Sequence, residues 1–251
     1  MTMLPRRLAA AAFALLSGLA ALGAAGPKAV ATTAWTAAFC RAAGLEDVRV
    51  LAPATLQHPP DYALRPSDIP ALEDADIIVF GGYEGMMDRI RSQVAGSDTV
   101  MLRIGTAYAM PVLEESIRAI AAAAGTEAAA EENLAEIRSA WNDARRMIAD
   151  AGLTGAKAAV HFHQKAFATA AGLETVMEFG PAPPGPRLIA EAGRSGAAVI
   201  LDNWHNPMSA PLQEVTGVPA AELINFPGRE GTESLADVIR YNARVLVSAV
   251  N

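Results

Sequence analysis

The chain is 251 residues long and carries 20 Lys and Arg against 27 Asp and Glu, a formal net charge of −7. An acidic chain is a poor partner for nucleic acid or for an anionic membrane surface. Its 52% hydrophobic content allows a substantial core, and its single cysteine, Cys40, excludes an internal disulfide.

The first 25 residues read as a cleavable secretory signal. Arg6 and Arg7 form a positive start, Leu8 to Leu22 an apolar run, and Ala21 to Gly26 a stretch of small residues suited to cleavage after about Ala24 or Ala25. The run is short for a membrane span, and no cysteine follows it to carry a lipid anchor. The expected location is therefore the periplasm.

The remainder alternates short β-branched runs with Ala-rich helical stretches. Asp47–Leu51, Asp76–Gly82 and Thr99–Ile104 read as strands of a first set. Ser67 stands where it can cap a helix that opens at Ile69. From Glu127 to Ala151, Leu134, Ile137, Trp141, Ala144 and Ile148 recur at helical spacing, which predicts a long amphipathic helix. A second set of strands follows at Ala158–Phe162, Thr175–Phe179, Ala197–Leu201 and Ala221–Asn225, interrupted by the Gly/Pro-rich loop 180–186. Strands alternating with helices predict parallel sheets. The fold class expected is α/β: two βα, Rossmann-like lobes joined by a long connecting helix, with a ligand site in the interlobe cleft. The divisions are 1–25 for the signal, 26–126 for the N-terminal lobe, 127–152 for the connecting helix and 153–251 for the C-terminal lobe.

The chain has four histidines, His58, His161, His163 and His205. His58 follows the first predicted strand. His161 and His163 end the Val160 strand, and His205 follows the Leu201 strand just beyond Asp202. All lie at carboxyl ends of strands, where open α/β sheets bind ligands. Neutral imidazole suits zinc, and also copper and nickel, and a tetrahedral zinc site needs three or four ligands at roughly 2.0–2.1 Å. On a strand, His161 and His163 would face one side, so that they can share an ion or one can support the other. Each also has a plainer reading: His58 as a loop residue, His161 as a core histidine, His205 as a turn residue. No His-Glu-x-x-His pattern is present, so a metallohydrolase is disfavoured.

Further residues resemble a known family. The run from His58 through Tyr62, Pro66-Ser67-Asp68 and Ala75-Asp76 to Val79 resembles a segment of the ZnuA/TroA-like metal-binding proteins of ABC importers. Val160-His161-Phe162-His163 with Phe167 and Gly172-Leu173 is similar to the family's strand–His–helix segment, and Arg240-Tyr241-Asn242 to its closing helix. Read from the strand, His163 takes the family's histidine position; read back from Gly172, His161 does.

This resemblance implies two lobes with a metal between them, a non-enzymatic role, and delivery of the ion to a membrane permease. The sequence also departs from the family. His58 lies two residues further upstream of Tyr62, Gly105–Pro111 has no histidine, and Asn225 stands where a carboxylate is expected. His161, His163, His205 and Asp202 are the candidates to complete a site with His58; Asp61 and Glu84 are weaker ones. The expected ligand is Zn2+, with Mn2+, Cu2+ and Ni2+ as alternatives, and the expected state is a monomer. The alternative function is a periplasmic accessory or sensor that binds a metal or metal chelate without transport.

Overall fold

The computed structural model describes residues 26–56 and 59–251, so the signal and His58 lie outside the described residues. The N-terminal lobe holds strands β1 (Ala29–Ala31), β2 (Val48–Val50), β3 (Ile77–Phe80) and β4 (Val100–Arg103), with helices α1 (Ala34–Ala42), α2 (Ile69–Glu73), α3 (Met87–Gln93) and α4 (Met110–Ala124). Helix α5 (Glu127–Asp150) follows. The C-terminal lobe holds β5 (Lys157–His161), α6 (Lys165–Ala170), β6 (Glu174–Phe179), α7 (Pro186–Ala192), β7 (Val199–Asn203), α8 (Ala210–Thr216), β8 (Ala220–Leu223) and α9 (Leu235–Val250). Among the described residues no helix is long and apolar enough to cross a membrane.

Both sheets are parallel and four-stranded, in the orders β2-β1-β3-β4 and β6-β5-β7-β8. The two lobes thus share one topology. In each, the first strand has the second on one side and the third on the other, so the chain leaves it in opposite directions. That reversal opens a crevice at the carboxyl ends of β1 and β3, and of β5 and β7.

The inner strands β1, β3, β5 and β7 are buried on both faces, as helices on both sides of a parallel sheet require. In β3, Ile77 and Val79 join one core while Ile78 and Phe80 join another. The first core is continuous through both lobes. It runs from β1 and α1 through α4 and α5 to β5, β7 and α9. Helix α5, about 36 Å long at 1.5 Å per residue, is its spine, and Leu134, Ile137, Trp141, Ala144 and Ile148 are all buried. Arg240 of α9 ties to α5 by donating to Glu136 at 2.6 Å and Asp143 at 3.3 Å. Arg138 of α5 donates to Glu114 of α4 at 2.7 Å.

Three sequence expectations need correction. Strand β1 went unread, because Ala-Val-Ala is too short and too small to register as a β run. Ser67 does not cap a helix. It is exposed within a single 3-10 turn, and the buried Asp68 carboxylate accepts the Arg65 N–H and the Tyr62 hydroxyl, both at 2.9 Å. His161 and His163 do not share a strand face, since β5 ends at His161 and residues 162–164 form a turn into α6.

Candidate functional site

Segments that follow β1, β3 and β4 of the N-terminal lobe contribute to one wall of the interlobe cleft. After β1, Thr33 caps α1: its hydroxyl accepts the Thr36 N–H at 3.2 Å, and the Thr36 hydroxyl accepts the Thr33 N–H at 3.0 Å. After β3, the buried Glu84 carboxylate accepts N–H bonds from Gly81 (2.8 Å), Gly82 (2.7 Å) and Tyr83 (3.0 Å), and the Thr32 hydroxyl at 2.5 Å. Glu84 is spent on shaping its own loop. That loop presents Tyr83, whose ring is part-exposed while desolvation of its hydroxyl, then the charge of Glu84, pushes the phenol up to about 12.

The other wall comes from the C-terminal lobe. His161, the last residue of β5, is fully buried. Its Nδ1 accepts the His163 N–H at 3.2 Å, which caps the turn and assigns the proton to Nε2. Nε2 has no hydrogen-bond partner and lies against Gly180, whose φ of +72° and lack of a Cβ make room for the ring. Burial, then the charge of His163, pulls the His161 imidazole down to about 4. His161 thus faces the core, whereas His163 lines the cleft, their ring centroids 5.3 Å apart.

At the end of β7, Asp202 is also fully buried. It accepts the N–H groups of Asn203 (2.8 Å), Met208 (2.9 Å) and Ser209 (2.8 Å), which closes the loop that carries His205. Asp202 therefore holds this loop and does not line the cleft. His205 does line it. Its ring stacks on Phe226 with centroids 4.0 Å apart, and its Nε2 is buried without a partner. Burial, then Arg229 and His163, hold the His205 imidazole down to about 4.

Behind the histidines lies an amide cluster that the sequence reading missed. Gln164, buried in the turn after β5, donates to Asn225 Oδ1 at 2.6 Å and Asn203 Oδ1 at 3.3 Å. Asn242 of α9 fixes the approach to Asn225 by pairing with both the N–H and the C=O of Ile224 at 2.9 Å. Asn203 and Asn225 both line the cleft. Two amides at the ends of adjacent strands are the one sequence signal that could have found them.

The cleft between these walls encloses about 1040 Å³. Thr33, Tyr83 and Thr106 face it from one lobe, and His163, His205 and Asn225 from the other. Among the described residues, its lining has no carboxylate, and no three His, Cys, Asp or Glu side chains gather closely enough to hold a metal ion. The structure thus brings His163 and His205 to one cleft, buries His161 and Asp202 outside its lining, and does not describe His58.

No family model and no curated protein matches this sequence. Solved structures do. The solute-binding protein FpvC of Pseudomonas aeruginosa in complex with Mn2+ superposes with a TM-score of 0.69 at 16% identity, over 89% of this chain and 98% of that one. The chain has the fold of metal-binding solute-binding proteins. The laminin-binding protein Lbp of Streptococcus pyogenes gives 0.67 at 16% identity, over 91% and 100%. The Zn(II)-bound ZnuA-like domain of Streptococcus pneumoniae AdcA gives 0.65 at 15% identity, over 90% and 99%.

Proposed function

We propose that this chain is an exported, periplasmic solute-binding protein that captures a transition-metal ion, zinc first, and hands it to the membrane permease of an ABC importer. The observation that carries this reading is the pair His163 and His205, presented on one cleft wall from loops that follow neighbouring strands. His205 adds an imidazole nitrogen with no protein partner. Imidazole favours zinc, copper and nickel over manganese, which prefers oxygen ligands. Structures of this fold have been solved with Mn2+, Ni2+, Cd and Zn(II), which supports a transition metal without selecting one.

In this reading His163 and His205 bind the ion directly, and His58 is a further candidate ligand by its sequence. His161 and Asp202 hold the two loops, as buried groups behind metal ligands commonly do. The protein acts by binding and release and performs no chemistry on its cargo.

Calorimetric titration of metal-stripped, tag-free protein with Zn2+, Mn2+, Cu2+ and Ni2+ tests the reading. Tight zinc binding that His163→Ala and His205→Ala each abolish is expected. Absence of any binding tighter than about 1 μM, some 8 kcal/mol, sinks it. A second reading, an accessory or sensor protein that binds metal without transport, is favoured by the lack of a three-ligand cluster among the described residues. It is tested by whether metal uptake in the cell depends on the protein.

A further inference from the structure

The cleft is much larger than a bare ion needs. An ion with a full first shell of water occupies about 200 Å³, counting about 30 Å³ per water. The cavity here encloses about 1040 Å³, which is the size of a small-molecule site. Aromatic rings contribute to its lining: Trp35 and Tyr83 on one side, Phe162 and Phe226 on the other. Tyr83 and Phe162 are 43% and 54% exposed, so rings that would ordinarily be buried face the opening.

The charged side chains of the cleft also suit an anion. The chain is acidic, yet the charged side chains that line this cavity among the described residues are Arg145 and Lys165. A third cation, Arg229, acts electrostatically on His205, stands 4.4 Å above the Trp204 ring, and has a buried Nη1 without a partner. Lys165 is paired with Glu178, and Arg145 donates to the Ala170 carbonyl at 2.9 Å, which leaves each with further donors. Cations in the lining favour an anionic ligand.

We propose that the metal enters this cleft as an anionic chelate, the ion already wrapped by a small organic oxygen-donor chelator, with His163 and His205 filling its last coordination positions. This rests on the metal-capture reading and names the form of its cargo. Two imidazoles suffice to complete the shell of a partly coordinated ion. On binding, two waters leave the metal as two ring nitrogens enter. The cations then meet the chelator's carboxylates, and the aromatic rings cover its carbon skeleton.

Native mass spectrometry of the metal-stripped, tag-free protein tests this with three probes: Zn2+ alone, zinc nitrilotriacetate, and nitrilotriacetate alone. The zinc complex carries one negative charge and leaves two coordination positions open. The expected result is a protein–zinc–chelator complex of equal stoichiometry, bound about tenfold or more tighter than Zn2+ alone. The double variant Arg145→Gln, Lys165→Gln should weaken the ternary complex and leave Zn2+ alone unaffected. A protein that takes zinc and expels the chelator overturns the proposal while the metal-capture reading stands. Chelator alone binding as well as its zinc complex also overturns it. If neither Zn2+ nor the complex binds, the metal-capture reading fails and takes this proposal with it.

Discussion

The hydroxyl of Tyr108, in the N-terminal lobe, donates to the main-chain carbonyl of Asn225, in the C-terminal lobe, at 3.0 Å. Both residues are buried, and Asn225 also lines the cleft. This bond joins the lobes beside the site, where Trp35 stacks on Tyr108 with ring centroids 6.4 Å apart. Tyr108→Phe keeps the ring and removes the donor. It should lower stability by about 1 kcal/mol, the ordinary net worth of a hydrogen bond, and loosen one lobe against the other. Denaturant titration reads the first effect, and amide exchange at Ile224 and Phe226 reads the second. Unchanged exchange at those positions would remove the bond's role as an interlobe tie.

The amide cluster should be sensitive at its centre. Gln164→Ala leaves the buried Asn225 Oδ1 without its 2.6 Å donor. The expected cost is about 2 kcal/mol, within the range for an unsatisfied buried acceptor. Lys165→Gln, one residue on and half-exposed, should change stability by no more than about 0.5 kcal/mol. Equal effects from the two substitutions would mean that the cluster is not a structural hub.

Asp202 separates a supporting role from a ligating one. Its carboxylate receives three backbone N–H bonds from the His205 loop. Charged acceptors of this kind contribute about 1.5–3 kcal/mol each. Asp202→Ala should therefore destabilise strongly, and Asp202→Asn moderately. The Asn variant, folded, should still take up one metal per chain in a zinc titration, and loss of the metal with a native circular dichroism spectrum would make Asp202 a ligand after all.

Acid should destabilise the metal-free protein over a defined window. His161 and His205 titrate near 4 in the folded state against an ordinary value of 6.5. Between those values the unfolded chain binds protons that the folded chain refuses, so stability rises with pH there. It is complete above about 6.5 and is lost as pH falls toward 4. The loss reaches about 3 kcal/mol for the fully buried His161, and less for the partly exposed His205. Urea midpoints at pH 7.5 and pH 4.5 check this. A His161→Gln variant whose midpoint falls as steeply as that of the unaltered protein would show that another group governs acid unfolding.

Much of the architecture was legible along the chain because it depends on local patterns. Ile77-Ile78-Val79-Phe80 is a short apolar run closed by Gly81-Gly82, so it read as a strand. The Leu134-to-Ile148 stripe repeats at helical spacing, so α5 and its buried face followed directly. The carboxyl ends of the strands, and so the neighbourhood of each described histidine, came from the same reading.

The roles of the histidines were not legible, because they depend on where one strand stops. Had β5 run two residues further, His161 and His163 would have faced one side. It ends at His161, and the following turn sends one imidazole into the core against Gly180 and the other into the cleft. Asp202 and Glu84 were plausible ligands by residue type alone. Only the folded loops reveal that backbone N–H groups surround both carboxylates. The Gln164–Asn225 contact spans 61 residues, and the Tyr108–Asn225 contact spans 117. Composition and periodicity determined that this chain forms two βα lobes around a helical spine with histidines at their open ends. Which side chains face the cleft, and its positive lining in an acidic protein, were decided by tertiary packing, because only packing assigns each polar group either to a backbone partner or to the space between the lobes.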